Sequence, residues 1–579
     1  MKWMGRYQQY HAAAFRKDLI SGLIVGIIAI PLGMAFAIAS GVKPEYGIYT
    51  TIIAGILISL LGGSRFQIGG PTGAFIPILF SIVLQYGYEN LLIAGFMAGI
   101  ILVFMGIFKL GALIKFIPRP VTIGFTAGIA VIIFSGQIAN FLGLNDIKKH
   151  ENFLPNMKEI ATHLTSLNIY SVFTAVICLT AILLSPKFLP KIPGSLVGLV
   201  VSSLLAALLF KGHVATIGSS FGAIPSTLPR FHFPDLTWDR ITSLIQPALI
   251  IAVLGSIESL LSAVVADGMT GTRHNSNREL IGQGIANIVT PLFGGIPATG
   301  AIARTATNIK NGAASPISGI IHGLAVFLVL ILLAPYASDI PLASIAPILM
   351  LVAWNMSERK EFAHVLKTKT SDSIVLLVTF LLTVFTNLTT AVEAGLILSV
   401  LLFVKRMSES LLVIKVLPDS TDKHEKVKAY MISNSHDCPQ ISIYTLEGPL
   451  FFGTANLLEK AVLNTIRPNT KIIVLRMSKV PYLDTTGEAK LAGLVKEFEK
   501  LGKIVLISGI QPQCMEIFKK TKLHLHIGED RFFGHTGEAI DYAIARVEPG
   551  KCNGCNHFAF RECDSLSGRH VASKTLSGK

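Results

Sequence analysis

Residues Pro297 to Asn308 read PATGAIARTATN. One arginine, Arg304, stands there among small residues and threonines, and long apolar runs surround the stretch on both sides. An arginine held at membrane depth costs about 2.5–3.5 kcal/mol even on lenient insertion scales. Such a residue predicts a functional site, and its positive charge predicts an anionic ligand.

The composition places the chain among membrane proteins. Of its 579 residues, 51% are hydrophobic and only 15% are charged, and the mean hydropathy is +0.59. Soluble domains carry about 25% charged residues, so a polytopic α-helical protein embedded in a lipid bilayer is the class that fits. The net charge of +15 does not indicate nucleic-acid binding, because the cations lie in loops between apolar spans.

Apolar segments that could cross a bilayer recur along the first two thirds of the chain. A crossing helix needs about 20 largely apolar residues, and fewer where it is broken or buried in protein. Two segments, Gly70–Tyr86 and Pro297–Asn308, are interrupted by glycine and proline or by Arg304. The uninterrupted candidates are Leu19–Ser40, Gly47–Leu61, Leu91–Leu110, Val121–Leu142, Ile169–Leu184, Ser195–Phe210, Leu244–Ala266, Leu280–Phe293, Ile317–Ala334, Leu342–Ala353, Ser373–Phe385 and Ala391–Val404.

Fourteen spans explain how charge is distributed between the loops. With both termini in the cytoplasm, the predicted inner loops hold most of the cations, as the positive-inside rule requires. Among the predicted outer loops, only 144–168 and 212–243 carry several. Removing either interrupted segment would invert every later loop. The inner cations are Lys2, Arg6, Arg16, Lys17, Arg65, Lys109, Lys115, Arg119, Lys187, Lys191, Arg273, Arg278, Lys310, Arg359, Lys360, Lys367, Lys369, Lys405 and Arg406.

The two interrupted segments are each the third span in a set of seven. Since seven is odd, the two halves lie in the membrane with opposite orientations, as a 7+7 inverted repeat. Paired broken spans in matching positions of inverted halves point to a transporter's binding site. Pro71 and Pro297 suit helix starts, where free N–H groups and positive dipole ends would meet at one point. The alternative is that the glycines serve tight packing and that Arg304 extends to the interface.

Glu258 is a single carboxylate inside a long apolar span. A carboxylate at that depth is expected to be protonated, paired or bound to a cation. Four interpretations are open: an ion pair with Arg304, proton carriage, a sodium site shared with Ser262 at i+4, or a buried structural hydrogen bond. Glu393 begins a later span and is expected near the interface.

From about Leu411 the composition becomes that of a soluble α/β module. The predicted division is a cytoplasmic N-terminal segment at 1–18, a membrane domain at 19–406, the module at 411–546 and a flexible tail at 547–579. The β-type runs of the module are Ile441–Leu446, Ile472–Arg476 and Ile504–Ile507, and its amphipathic stretches are Leu457–Asn464, Glu488–Leu501 and Met515–Lys520.

The tail contains Cys552-x-x-Cys555-x-His557, followed by Cys563. Three thiols and an imidazole could form a tetrahedral zinc site, whereas a Cys-x-x-Cys pair could also be redox-sensitive. A flexible tail with neither function is the third interpretation. The uneven placement of the six cysteines does not indicate a disulfide framework. No other cofactor is expected.

Several segments together carry a resemblance that covers nearly the whole chain. GGPTGAF (Gly69–Phe75), the Glu258 span, NRELIGQGIANIVTPLFGG (Asn277–Gly295) and the stretch around Arg304 are similar to the SulP anion transporters, prokaryotic relatives of solute carrier family 26. The resemblance implies a core of spans 1–4 and 8–11 and a gate of spans 5–7 and 12–14. It also implies elevator-like movement of the core, a homodimer, and a bacterial inner (plasma) membrane location.

The same resemblance places the anion between the third and tenth spans. Leu32 stands where many relatives have glutamine, and Ala301 and Ala303 stand where animal members often have serine. With fewer side-chain donors, backbone N–H groups and Arg304 are expected to carry more of the anion. The implicated residues are Phe36 on span 1, Thr72, Gly73 and Ala74 on span 3, and Ala301, Ala303 and Arg304 on span 10.

The soluble module resembles a STAS domain, with Asp484-Thr485-Thr486-Gly487 as its local signature. In related soluble STAS proteins the first hydroxyl residue of this signature is phosphorylated, which makes Thr485 the candidate here. The alternative is that Asp484 only caps the following helix, and a phosphate beside Glu488 would be repelled. A cytoplasmic partner of this domain is a further expectation.

The favoured interpretation is a secondary active transporter of a small inorganic or carboxylate anion, coupled to H⁺ or Na⁺ through Glu258. Sulfate is the default substrate of the family it resembles. Sodium-dependent transport of bicarbonate or of a C4-dicarboxylate is the alternative within this class. An uncoupled anion channel and a STAS-linked anion sensor are alternatives from other classes. No catalytic motif accompanies the charged residues, so an enzyme is not expected.

Overall fold

The structure, a computed structural model, forms two compact units, Met1–Ser399 and Val400–Lys579. It describes residues 11–112, 117–189, 192–227, 230–386, 388–416, 438–463, 466–557, 559–560 and 563–567. The predicted inner-loop cations Lys2, Arg6, Lys115 and Lys191 lie outside the described residues, as does the tail beyond residue 567.

Each of the fourteen predicted spans contains a helix. The first half contributes α1 (Ala12–Ala39), α2 (Pro44–Leu61), α3 (Ile76–Tyr86), α4 (Tyr88–Ile107), α5 (Arg119–Gly136), α6 (Ile169–Phe188) and α7 (Gly194–Leu209). The second half contributes α8 (Trp238–Thr270), α9 (Ser276–Val289), α10 (Ile302–Lys310), α11 (Ile317–Ala337), α12 (Leu342–Met356), α13 (Ser371–Phe385) and α14 (Leu388–Glu409).

Length and hydropathy alone would identify only half of these helices. Within the described residues, seven are long and apolar enough to cross a membrane unaided: α1, α2, α4, α5 with its continuation to Leu142, α6, α8 and α11. The others are shorter or more polar. A helix that is broken or enclosed by protein does not need the full apolar length, because neighbouring helices cover it.

Spans 3 and 10 begin as extended chain. Strand β1 (Gly69–Gly70) pairs antiparallel with β2 (Thr299–Gly300) across the two halves of the unit. The backbone N–H of Ala301 adds a bond of 2.8 Å to the carbonyl oxygen of Ile68. The two broken spans therefore hold each other through backbone hydrogen bonds before either becomes helical.

This arrangement corrects the predicted helix starts. Span 3 becomes helical at Gly73, first as a 3-10 turn (Gly73–Phe75) and then as α3, and span 10 becomes helical at Ile302. The predicted starts at Pro71 and Pro297 lie a few residues too early. The pairing between β1 and β2 takes the backbone groups that a helix would have used.

Helix packing separates the membrane unit into two sets. In one set α1 packs on α2 and α11, α4 packs on α8 and α9, and α10 packs on α1 and α8. In the other set α5 packs on α12 and α13, and α6 packs on α7 and α12. Within the first set α4 and α9 approach so closely that a Cβ on Gly99 would lie 2.6 Å from the backbone nitrogen of Ile288. These sets correspond to the core and the gate.

The second unit contains a five-stranded sheet in the order β3-β4-β5-β6-β7, with β3 antiparallel and the others parallel. The predicted runs become β4, β5 and β6, while β3 and the two-residue β7 were not predicted. The strands are β3 (Leu412–Val416), β4 (Ile441–Glu447), β5 (Ile472–Lys479), β6 (Ile504–Ser508) and β7 (Phe532–Phe533), and the main helices are α15 (Ala455–Leu463), α16 (Thr485–Lys500), α17 (Pro512–Thr521) and α18 (Thr536–Ile544).

Part of the segment predicted as a flexible tail packs on the sheet. Ala559 and Phe560 are buried in an apolar cluster with Ile441 of β4 and Ile472 of β5. The flexibility of 547–579 stays a prediction, while these two residues of the segment pack against the sheet. Burial of the Phe560 ring offsets the entropy lost on ordering this segment.

Candidate anion-binding site

Arg304 lies in the first turn of α10 and reaches across to the other half of the repeat. Its side chain is buried, with only 3% of the residue exposed. One terminal nitrogen, Nη2, donates a hydrogen bond to the carbonyl oxygen of Pro71, which follows β1. The membrane unit therefore contains a fixed positive charge beside the crossing of the two broken spans.

Two buried polar atoms at this crossing have no partner. Nη1 of Arg304 and Oγ1 of Thr72 form no hydrogen bond with any described residue. Leaving a buried donor unmatched costs about 1–3 kcal/mol, and more for a charged group. An anion with several oxygen acceptors, placed between them, would satisfy both.

The first turns of the two helices leave further donors open. Thr72 precedes the 3-10 turn and Ala301 precedes α10, each in an extended conformation without a side-chain cap. The first N–H groups of a helix have no intrahelical acceptor and carry the positive end of its dipole. The backbone around Gly73 and Ala74 and around Ile302 is therefore suited to an anion.

The site borders the gate. A Cβ added to Gly73 would lie 3.3 Å from the sulfur of Met356 and 3.7 Å from atoms of Val352, both on α12, and 3.7 Å from Ile133 on α5. Ala303 is exposed on the first turn of α10, whereas Ala74 and Ala301 are buried. The predicted residues of spans 3 and 10 thus lie on the core side of the boundary between core and gate.

Gly70 is required by the position of Arg304. Its φ of 150° is rarely adopted by residues with a side chain. A Cβ at this position would lie 2.6 Å from Nη1 of Arg304. The glycine in the first broken span therefore makes room for the guanidinium that comes from the second.

Phe36 is buried on α1, in the same large apolar cluster as Phe75 and Leu254. Leu32, one turn earlier, packs against this cluster as a partly buried residue. The structure places Phe36 in the core set of helices, as predicted, and gives it an apolar rather than a polar environment.

Glu258 does not contact Arg304. It is buried on α8 and lines a cavity with Phe125 and Thr126 of α5 and with Glu393 of α14. Among the described residues its carboxylate forms neither an ion pair nor a hydrogen bond. Of the four interpretations, an ion pair with Arg304 has no contact to support it in this structure, because the Glu258 side chain faces a cavity lined by α5 and α14 of the gate. Glu393, expected near the interface, is exposed on the wall of the same cavity.

Ser262 helps to hold α10 in place. Its hydroxyl donates to Oγ1 of Thr305 at 3.2 Å, and the same oxygen accepts the backbone N–H of Ile68 at 3.0 Å. These bonds join α8, α10 and the start of β1 directly beside Arg304. Ser262 and Glu258 share a helix but make different contacts.

Three buried polar residues near the crossing were not predicted. Gln67 donates to the carbonyl oxygen and the hydroxyl of Ser259, both at 3.2 Å. Glu279 accepts the backbone N–H groups of Gly63 at 2.6 Å and Ser64 at 3.0 Å. His322 is fully buried, and neither ring nitrogen has a partner among the described residues. Their signal in the sequence is a polar residue inside or beside an apolar span.

The STAS signature forms a helix cap. The carboxylate of Asp484 accepts the N–H of Gly487 at 2.7 Å and the N–H of Phe452 at 3.1 Å. Thr485 follows as the first residue of α16 and is exposed. The capping role is confirmed, and phosphorylation of Thr485 stays a prediction.

The fold and the comparisons with known proteins define the class, a multi-pass membrane transporter with a C-terminal α/β module. Residues 15–379 match the sulfate permease family, and residues 434–539 match the STAS domain. The chain belongs to the sulfate permease family, whose members are anion transporters and not enzymes.

Relatives match nearly the full chain. The "Putative sulfate transporter YvdB" of Bacillus subtilis is 54% identical over 93% of this chain and 99% of its own length. The bicarbonate transporter BicA of Picosynechococcus is 28% identical over 94% of this chain and 97% of its own length.

Solved structures agree on the fold. One is the murine solute carrier 26 family member A9 anion transporter in its inward-facing state. The match covers 94% of this chain and 93% of the murine chain, with a TM-score of 0.83 at 19% identity. The transmembrane domain of a cyanobacterial BicA covers 66% of this chain and 98% of its own with a TM-score of 0.60 at 29% identity.

Proposed function

We propose that this protein is a secondary active transporter that binds a small oxyanion between its two broken spans, with sulfate as the first candidate. The observation that carries the proposal is the pair of unpartnered buried donors, Nη1 of Arg304 and Oγ1 of Thr72, beside two open helix starts. A tetrahedral anion has enough acceptors for the side-chain and backbone donors together.

The proposed transport step is an elevator-like movement of the core against the gate. The anion-binding residues all belong to core spans, and Gly73 approaches Ile133 and Met356 of the gate. Sliding of the core along this boundary would carry the anion without changing its contacts. The cytoplasmic location of both termini, assembly as a homodimer and a partner for the STAS domain belong to the same proposal.

Coupling is assigned to Glu258. A carboxylate buried at membrane depth without a partner gains by taking up a proton or a sodium ion. Its cavity is bordered by gate residues such as Phe125, so its surroundings would change as the core moves. Ser262 would act in coupling only if its bond to Thr305 opened, so Glu258 is the primary group.

Bicarbonate is the second candidate substrate. Similarity to BicA extends over most of the chain, at 28% identity. A planar anion with one negative charge would still satisfy Arg304, although it offers fewer acceptors to the two helix starts. A C4-dicarboxylate is the third candidate, and channel and sensor functions are outcomes of the same test.

Flux into proteoliposomes tests this proposal. Labelled sulfate, bicarbonate and succinate are supplied under imposed pH or sodium gradients, with the full chain reconstituted. Uphill accumulation of one anion identifies a coupled transporter, and purely downhill flux identifies a channel. If none of the three anions crosses the membrane although binding is retained, transporter and channel functions are excluded, and the STAS-linked anion sensor is the remaining alternative. Lys310→Ala, which removes an exposed cation at the far end of α10, is the control for Arg304 variants.

A further inference from the structure

A second cluster of cysteine and histidine side chains lies on the soluble module. Cys552, Cys555, His557 and Cys563 of the C-terminal segment line one small cavity. Cys438, which lies just before β4, lines the same cavity. All four cysteines are free thiols. The fold thus adds a fifth donor that is distant in sequence from the tail motif.

Hydrogen bonds fix the two walls of this cavity to each other. The side chain of Gln440 accepts the N–H of Glu548 at 2.9 Å and donates to the carbonyl oxygen of Glu548 at 3.2 Å. The same amide donates to the sulfur of Cys552 at 3.4 Å. Lys471 forms an ion pair with Glu548. The C-terminal segment is therefore held beside Cys438.

Local hydrogen bonds keep the donors of the C-terminal segment near one another. A turn from the N–H of Cys555 to the carbonyl oxygen of Cys552, 3.0 Å, keeps the two residues close. The sulfur of Cys563 accepts the N–H of Phe560 at 3.4 Å, a bond that stabilises a thiolate. Nδ1 of His557 is buried and has no partner in the described part of the chain.

We propose that this cluster is a zinc site in which Cys438, Cys552, Cys555 and Cys563 bind one Zn²⁺ as thiolates. The four thiols release four protons, and the product carries a charge of −2 that faces Lys551 on the cavity wall. In this assignment His557 is not a ligand, and once the site has closed its ring N–H would donate to a thiolate.

Binding of the ion would also have to bring the donors closer together. In the described residues no three His, Cys, Asp or Glu side chains yet lie close enough together to hold a metal. Zinc–sulfur bonds are about 2.3 Å long, so the loop from Cys552 to His557 must move inward on binding. The site would tie a segment outside the STAS match, which ends at residue 539, to the first parallel strand of the module.

Metal analysis of the full-length protein in detergent tests this inference. Purified with zinc in the medium and without chelator, it should hold close to one zinc per chain. Cys438→Ser and Cys552→Ser should each lower this at least tenfold. Cys514→Ser changes a buried thiol elsewhere in the module, beside Val480, and should keep the zinc. Absence of zinc from the unchanged protein, or full zinc in Cys438→Ser, would overturn the proposal.

Two measurements do not depend on whether a variant folds. The unchanged protein, stripped by a chelator, should rebind one Zn²⁺ in competition with a chromophoric chelator. With Co²⁺ in its place, the absorption should be that of four sulfur ligands and should persist in His557→Ala. A spectrum typical of three sulfur ligands and one nitrogen ligand, lost in His557→Ala, would show that His557 and not Cys438 is the fourth ligand. That result would overturn the assignment. Neither readout involves transport, so the result is independent of the proposed function.

Discussion

One terminal nitrogen of the Arg304 guanidinium forms a hydrogen bond with the protein, and the other does not. Nη2 donates to the carbonyl oxygen of Pro71, while Nη1 has no partner among the described residues. A guanidinium keeps its charge at any physiological pH, so burial can be offset only by an acceptor. The candidate site therefore contains hydrogen-bond donors that lack an acceptor, and an anion would supply one.

We expect Arg304→Ala to weaken anion binding by about 1.5–3 kcal/mol, or roughly 10- to 150-fold, because a charged hydrogen bond is lost. Arg304→Lys keeps the charge but not the forked donors, so it should recover only part of the affinity. Isothermal titration of purified protein with sulfate measures both. Lys310→Ala is the control, and unchanged affinity in Arg304→Ala would remove Arg304 from the site.

Glu258→Gln should separate binding from coupling. The amide cannot exchange a proton or balance a sodium ion, so anion exchange should persist while the dependence of uptake on a pH or sodium gradient disappears. Glu393→Gln, an exposed carboxylate on the same cavity wall, should keep that dependence. Gradient-driven uptake that is equal in Glu258→Gln and the unchanged protein would exclude Glu258 as the coupling group.

At the scale of elements, the crossing of β1 and β2 sets the geometry of the site. Pairing of Gly70 with Thr299 holds the two broken spans in register, and the bonds of Thr305 to Ile68 and Ser262 tie α10 to this crossing. A shift of either strand would move the helix starts away from the guanidinium.

Gly70→Ala tests this crossing. The added Cβ would lie 2.6 Å from Nη1 of Arg304, and the backbone conformation disfavours any side chain. We expect at least a tenfold loss of sulfate uptake, because either strain or displacement of the guanidinium costs more than about 1.4 kcal/mol. Gly136→Ala, where a Cβ meets nothing within 4 Å, is the matched control. Normal uptake and normal thermal stability in Gly70→Ala would contradict the proposed geometry.

At the scale of the whole molecule, the chain consists of a membrane unit and a soluble unit with separate cores. Every residue of the candidate anion site lies before residue 305. The soluble unit has its own five-stranded sheet and, in our proposal, its own zinc site. The two sites can therefore be studied separately.

Removal of residues 411–579 should leave sulfate binding within about threefold of the full chain, since none of the site's described contacts would be lost. Binding to detergent-purified protein measures this, with size-exclusion chromatography to confirm that the truncated protein stays folded. A folded truncation that has lost binding would show that the soluble unit shapes the membrane site. A truncation that cannot be recovered folded would show that the soluble unit is needed for assembly.

The class of protein, the fourteen spans and the positions of the two broken spans could all be predicted from the amino-acid sequence. A membrane imposes these features on the sequence, because each span must be apolar and must satisfy its own backbone. Arg304 stood out in the sequence for the same reason, since a charge is costly among apolar spans and is by default expected to have a function there.

Which side chains come into contact could not be predicted from the sequence and is seen in the folded chain. The i+4 spacing of Glu258 and Ser262 places them on one face of α8, yet one lines a cavity beside the gate and the other bonds to Thr305. Cys438 joins the tail cysteines from far away in the sequence. Such contacts depend on the packing of whole helices and strands against each other, and local periodicity carries no information about that packing.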